Sequence, residues 1–129
     1  MIESMLNTRL EELTQKADAP FIQAFAGDGD YLLSKTKGAF MGIAAAKEDG
    51  ILTATEALMR EIERVRQFGF TASEYARAKA DYLRSLEVAY NERDKQRTNS
   101  YVKEYVRHFI DNEPIPGIEN EYPLMNQIV

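Results

Sequence analysis

The sequence predicts an α+β fold, a small antiparallel sheet covered on one face by helices. Three observations predict it. Apolar residues repeat at helical spacing on both sides of a central stretch that reads as strands, and turn signals bound that stretch. The third is the segment Phe68-Gly69-Phe70-Thr71-Ala72-Ser73-Glu74-Tyr75, where one helix stops and another starts. Gly69 suits the place just past a helix C-terminus, because a residue without a Cβ adopts left-handed angles at little cost. Thr71 can accept from the first free N–H groups of a new helix, and Glu74, three residues on, can reach back to the Thr71 N–H as a capping box.

The elements follow in order. Leu6, Leu10 and Leu13, within Met5 to Leu13, lie on one face of a short amphipathic helix. Lys16 to Pro20 breaks it, since the residue before Pro20 is biased away from helix. Phe21 to Ala26 reads as a strand, Gly27-Asp28-Gly29-Asp30 as a turn, and Tyr31 to Ser34 as continued extended chain. A second strand is expected from about Gly38 to Ala46, carried by Phe40, Met41 and Ile43. Asp49-Gly50 closes it, and Thr53-Ala54-Thr55-Glu56 offers another capping box. Leu58, Ile62 and Val65 then repeat among charged neighbours, the pattern of an amphipathic helix. After Gly69, Tyr75, Ala78, Tyr82 and Leu86 mark the buried stripe of the next helix. The nearly all-polar stretch from Asn91 to Ser100 leaves open one long helix or two with a break. Tyr101, Val102, Tyr105, Val106 and Phe109 form a further apolar stripe. Glu113-Pro114-Ile115-Pro116-Gly117 ends the helical region, and the tail to Val129, with Pro123 and little periodicity, reads as a linker or docking segment. Two or three strands make a thin sheet, which further strands upstream would complete.

A chain of 129 residues, with 44% hydrophobic and 29% charged residues, has the size and composition of one soluble globular domain. A net charge of −5 and a pI near 5.0 argue against a general nucleic-acid binder, which would carry a basic face. No apolar run approaches the ~18 residues a membrane span needs, and no export leader is visible. The absence of cysteine excludes disulfides, thiolate metal ligands and cysteine nucleophiles.

Candidate chemistry is sparse. His108 is the single histidine, and zinc sites without cysteine generally use at least two, so it reads as a helix-surface residue. Glu11-Glu12 and Glu61/Glu63 sit among basic residues and read as surface charge with i,i+4 pairing. Asp28 and Asp30 alternate with glycines but lack the further ligands and closing glutamate of a calcium loop. Ser4, Ser34, Ser73, Ser85 and Ser100 lie in no Gly-x-Ser-x-Gly elbow, and no phosphate-binding glycine loop is present. The Arg93-Asp94-Lys95-Gln96-Arg97 run reads as a solvated helix face. Tyr75, Tyr82, Tyr90, Tyr101 and Tyr105 are able to line a peptide groove, although helical spacing favours packing. No catalytic and no metal-binding residue is assigned.

Several segments, taken in order, resemble a pitrilysin-type (insulinase, M16 family) zinc metallopeptidase. Met5 to Leu13 resembles the helix after that family's small-residue/Arg-Leu signature, and Pro20-Phe21 begins a strand. Phe40 sits in the strand before Lys47, and Ala57-Leu58-Met59-Arg60-Glu61-Ile62-Glu63-Arg64 resembles its a-L-x-x-E-x-x-R helix. Gly69 to Tyr75 with Lys79 resembles its G-(apolar)-T-x-x-E-(apolar)-x-x-x-K turn, and Glu113 to Glu119 its connector to a next module. The resemblance implies the C-terminal, non-catalytic module of a catalytic half, with residues 1–112 a portion of an M16-type α/β module of LuxS/MPP-like architecture and residues 113–129 the connector.

The departures carry implications too. The family's His-x-x-Glu-His zinc motif is absent. Thr14 or Gln15, and Phe21, stand where members place an arginine and a tyrosine that stabilise a tetrahedral oxyanion. The resemblance therefore implies a scaffold that is not itself an enzyme, one wall of a chamber enclosing unfolded peptides. Zinc would sit in a separate module of a parent peptidase, a partner of this chain. The substrate-contacting residues are not assigned, and the parent's expected place is the bacterial periplasm or envelope. The family module begins several strands earlier, so an open sheet edge and self-association are expected. Two other readings remain: a free-standing helical docking domain that uses the tyrosines and acidic surface, and an acid/base hydrolase using scattered carboxylates.

Overall fold

In the computed structural model, which describes residues 1–31, 34–95 and 98–129, helix α1 (Ile2–Thr14) leads into strands β1 (Gln23–Tyr31) and β2 (Ser34–Ala45). Helices α2 (Ile51–Phe68) and α3 (Ala72–Asn91) follow, then a 3₁₀ turn (Arg93–Lys95), α4 (Thr98–Asp111) and α5 (Ile118–Ile128). The expected α+β class is borne out. None of the described helices is long and apolar enough to cross a membrane. The chain divides into two units, Met1–Ala78 and Lys79–Val129.

The first unit holds the sheet. β1 and β2 pair antiparallel, with Ala26 opposite Gly42 and Phe25 opposite Ile43. Residues on one face are small: Ala24 and Ala26 on β1, Gly42 and Ala44 on β2. Against that face pack Leu6 and Leu10 of α1, Leu58 of α2, and Phe21, which enters from the segment before β1 and is fully buried. Small side chains let the helices approach closely. At Gly42 an added Cβ would lie 3.1 Å from Leu58 Cδ2 and 3.3 Å from Ile62 Cδ1.

The free edge of β1 is closed by α1. In an antiparallel pair, alternate residues turn their backbone groups away from the partner strand. Ala26 does so, and the Asn7 amide takes both groups: Nδ2 donates to the Ala26 carbonyl at 2.8 Å, and the Ala26 N–H donates to Oδ1 at 2.8 Å. Two residues on, the Asp28 N–H donates to the Glu3 carboxylate at 2.9 Å. Asn7 thus supplies the hydrogen bonds that a neighbouring strand would supply. By the same alternation Phe40, Gly42 and Ala44 turn their backbone groups to the far edge of β2, and the sheet has no third strand among the described residues.

Several local expectations are corrected. Gly27-Asp28-Gly29-Asp30 is no turn but the second half of β1, paired with Gly38 to Met41. Pairing overrides the turn preference of Gly and Asp, and the chain reverses only after Tyr31. Of the stretch expected to stay extended there, Leu32 and Leu33 lie outside the described residues. The Thr53 capping box is not formed either. α2 starts earlier, at Ile51, behind Gly50, and Asp49 turns the chain at φ 58°. Thr53 to Glu56 lie inside the helix, where the Thr55 hydroxyl donates to the Ile51 carbonyl at 2.8 Å. The Gly69 turn is borne out. Gly69 sits at φ 65°, ψ −146°, a combination open to glycine, and its N–H donates to the Val65 carbonyl.

In the second unit the polar stretch resolves into a break, with the 3₁₀ turn between α3 and α4; Gln96 and Arg97 lie outside the described residues. Tyr90 stacks on Tyr122 of α5, ring centroids 5.0 Å apart. Arg93 lies 4.5 Å from the Tyr90 ring centroid, donates to the Tyr90 carbonyl and pairs with Glu119 at 3.4 Å. Residues of the tail from Ile118 form a helix, with Pro123 inside it. Of the stripe expected on α3, Leu86 is buried and Ala78 and Tyr82 are half-buried, but Tyr75 is exposed. The α4 stripe, from Tyr101 to Phe109, is exposed throughout.

Two substitutions test this packing. Gly42→Val forces extra volume against Leu58 and Ile62 and is expected to cost about 1–3 kcal/mol, read as a lower urea midpoint. Asn7→Ala leaves two backbone groups of Ala26 without partners, expected to cost about 1–3 kcal/mol, and faster amide exchange at Ala26 distinguishes it from a general loss of stability.

Candidate functional site

The residues singled out in the sequence are dispersed. His108 is exposed on α4, and its Nδ1 donates to the Glu113 carbonyl at 2.6 Å, fastening the helix end to the Glu113-Pro114 segment. Glu12 pairs loosely with Arg77 at 3.7 Å, and Glu11 lines a cavity of about 440 Å³ beside β1 with Asn7, Thr14 and Gln23. Glu63 pairs with Arg66 at 2.6 Å, and that hydrogen bond, with a second from Gln67, lowers its carboxyl to about 2. This pair is at i,i+3, and it stays in water, where such pairs contribute little.

Glu61 departs from the expected surface role. It is 6% exposed, buried between α1 and α2, and accepts two hydrogen bonds from Arg64 at 2.8 and 3.1 Å. Cavities of about 260 and 210 Å³ flank it. The first is lined by Lys16, Asp18, Glu56 and Arg60, the second by Arg9, Glu12, Arg64 and Glu74. Opposite charges alternate around both, so neither gathers the single-sign field that would draw a charged substrate. Asp28 and Asp30 are exposed strand residues, and among the described residues no group of three or more His, Asp and Glu is placed to hold a metal ion.

The tyrosines fall in both units, Tyr75 in the first and Tyr82, Tyr90, Tyr101 and Tyr105 in the second. Tyr90 faces Tyr122, the Tyr101 hydroxyl donates to the Arg93 carbonyl at 3.3 Å, and Tyr105 is exposed. Thr14 and Gln15 cap the end of α1: the Thr14 hydroxyl donates to the Glu11 carbonyl at 2.7 Å, and Gln15 Nε2 reaches the Thr14 oxygen at 3.4 Å. Phe21 is core. None of the three presents a charge or a phenol to a cavity.

The most organised polar constellation is one that the sequence reading missed. Arg9 on α1 grips Glu74 at the start of α3 with both ends of its guanidinium: Nε bonds Oε1, and Nη2 bonds Oε2 at 2.9 Å. Nη2 also donates to the Gly69 carbonyl at 3.1 Å, and Cζ lies 4.8 Å from the Phe70 ring centroid. Glu74 completes the capping box as well, accepting from the Thr71 N–H at 2.7 Å, while the Glu74 N–H reaches the Thr71 hydroxyl at 3.3 Å. Both charged side chains are about 85% covered, with 13% and 15% of their surface exposed. A guanidinium paired on three sides is an anchor, not a group free to act on substrate. The second feature is apolar and exposed: the sheet face opposite α1 and α2 presents Phe25, Met41 and Ile43.

No family model matches the chain. Over 68 residues, 53% of its length, it is 37% identical to a protein of Arabidopsis thaliana described as zinc protease PQQL-like. It spans 7% of the length of that relative. Among solved structures, the first half of the periplasmic protease PqqL from Escherichia coli matches 97% of the chain at a TM-score of 0.80 and 22% identity, over 26% of its own length. The complete protease matches all of it at 0.81 and 23%, over 14% of its length. The fold is that of a segment of PqqL. The α+β architecture is thus found again in a protease many times larger than these 129 residues.

Arg9, with the Thr71 N–H behind it, holds the Glu74 carboxyl well below the usual carboxylate range. A carboxyl whose folded pKa lies below its unfolded value stabilises the fold fully above the unfolded pKa, and that contribution fades as the pH falls below about 4.5. Arg9→Ala is expected to cost about 2 kcal/mol at neutral pH. In acid titrations monitored by circular dichroism, the variant should show a smaller loss of stability below pH ~4.5 than the parent sequence.

Proposed function

We propose that this chain is a non-catalytic structural piece of a pitrilysin-like zinc metallopeptidase, forming part of the wall of a chamber that encloses unfolded peptides. The observation that carries the reading is the pairing of a 37% identical segment of a zinc protease-like relative with an open, apolar sheet face. Phe25, Met41 and Ile43 offer an unfolded peptide a surface that favours apolar side chains without selecting a sequence. Among the described residues no side-chain group fits a zinc centre: His108 is held by the Glu113 carbonyl, and no set of three His, Asp or Glu is gathered for a metal. On this reading zinc would sit in a separate module of the parent, where it would activate water and polarise the scissile carbonyl.

On this reading the chain contributes shape. Thr14, Gln15 and Phe21 act in helix capping and core packing, so this piece does not reach across to the substrate with a cation or a phenol. The Arg9–Glu74 grip ties α1 to the start of α3. The parent is assigned to the periplasm or cell envelope, by likeness to the periplasmic protease whose fold it shares.

The decisive experiment compares the isolated chain with the longer polypeptide of the same gene. The coding region outside these residues is expected to carry a His-x-x-Glu-His segment, and the longer product to cleave unfolded peptides in a reaction that a chelator abolishes. The isolated chain should show no stoichiometric zinc in calorimetry and no cleavage. One zinc per chain with peptide turnover would overturn the proposal, and saturable binding to a protein partner with no such upstream motif would favour a free-standing docking domain.

A second outcome follows from the sheet edge. With β1 closed by Asn7 and Glu3, the open strand edge among the described residues is that of β2 around Phe40, Gly42 and Ala44, so the isolated chain should self-associate through it into small oligomers. Phe40→Lys, at an exposed position of that edge, is expected to shift the sedimentation profile to monomer. A parent sequence that already sediments as monomer at high concentration contradicts the assignment.

A further inference from the structure

We draw no further inference here: the strongest candidate, the exposed apolar stripe of Val102, Tyr105, Val106 and Phe109 along α4, carries nothing because no feature of the structure shows what covers it.

Discussion

A two-stranded sheet has little surface to share, and here its inner face is spent on bringing two helices close. Ala24, Ala26, Gly42 and Ala44 leave so little bulk between the sheet and Leu6, Leu10 and Leu58 that the core depends on backbone approach rather than on interlocking large side chains. Phe21 fills the space that remains. The large strand residues Phe25, Met41 and Ile43 stand exposed on the other face, while Phe40, two residues before Gly42 and of the same parity, is exposed as well.

Burial of one face alone leaves a pair of strands marginal. Two polar devices compensate. Asn7 and Glu3 satisfy the outward backbone groups of β1, which fixes α1 along the edge and not merely beneath the sheet. Arg9, one turn or less from Asn7 on the same helix, fixes the turn after α2 through Gly69 and the start of α3 through Glu74. A single helix thereby holds a strand edge and an interhelical turn in register. Glu74 is engaged from its own backbone side as well, by the Thr71 N–H, so losing Arg9 would leave a carboxylate that is covered and only partly satisfied. Removing one partner from such an arrangement costs more than the pair contributes by being there.

Much of this was legible. The Gly69-Thr71-Glu74 turn was readable because the capping bonds that shape it are local, between Thr71 and Glu74. α1 was readable from the spacing of Leu6, Leu10 and Leu13. Several misreadings share one physical cause, that the deciding partner lies elsewhere along the chain. Gly27 to Asp30 has turn chemistry and becomes strand because Gly38 to Met41 pair with it. Arg9 looks like one more helix-surface cation, and its role appears only when Glu74, 65 residues away, is brought beside it. Glu61 reads as one of several acidic residues on α2, yet it alone among them is buried, since α1 closes over that face. In the tail, Pro123 argues against a helix, but α5 forms and places Tyr122 on Tyr90. The candidate site was legible chiefly as a scarcity of chemistry, and the exposed sheet face followed only from knowing which strand residues turn inward.

The division between what these residues supply and what they lack bears on function. A hydrolytic centre needs a nucleophile or activated water, a base and an oxyanion stabiliser within reach of one another. Here the best-placed charges are paired with one another, Arg9 with Glu74 and Arg64 with Glu61. A wall of the proposed chamber would need no more than that, because its selectivity would lie in shape and in an apolar surface that accepts many sequences. Commitment of charge to structure and exposure of Phe25, Met41 and Ile43 are therefore two sides of one design. On the proposed reading the chemistry would lie elsewhere in the parent, and this segment would contribute the exposed apolar face on which an unfolded chain could rest.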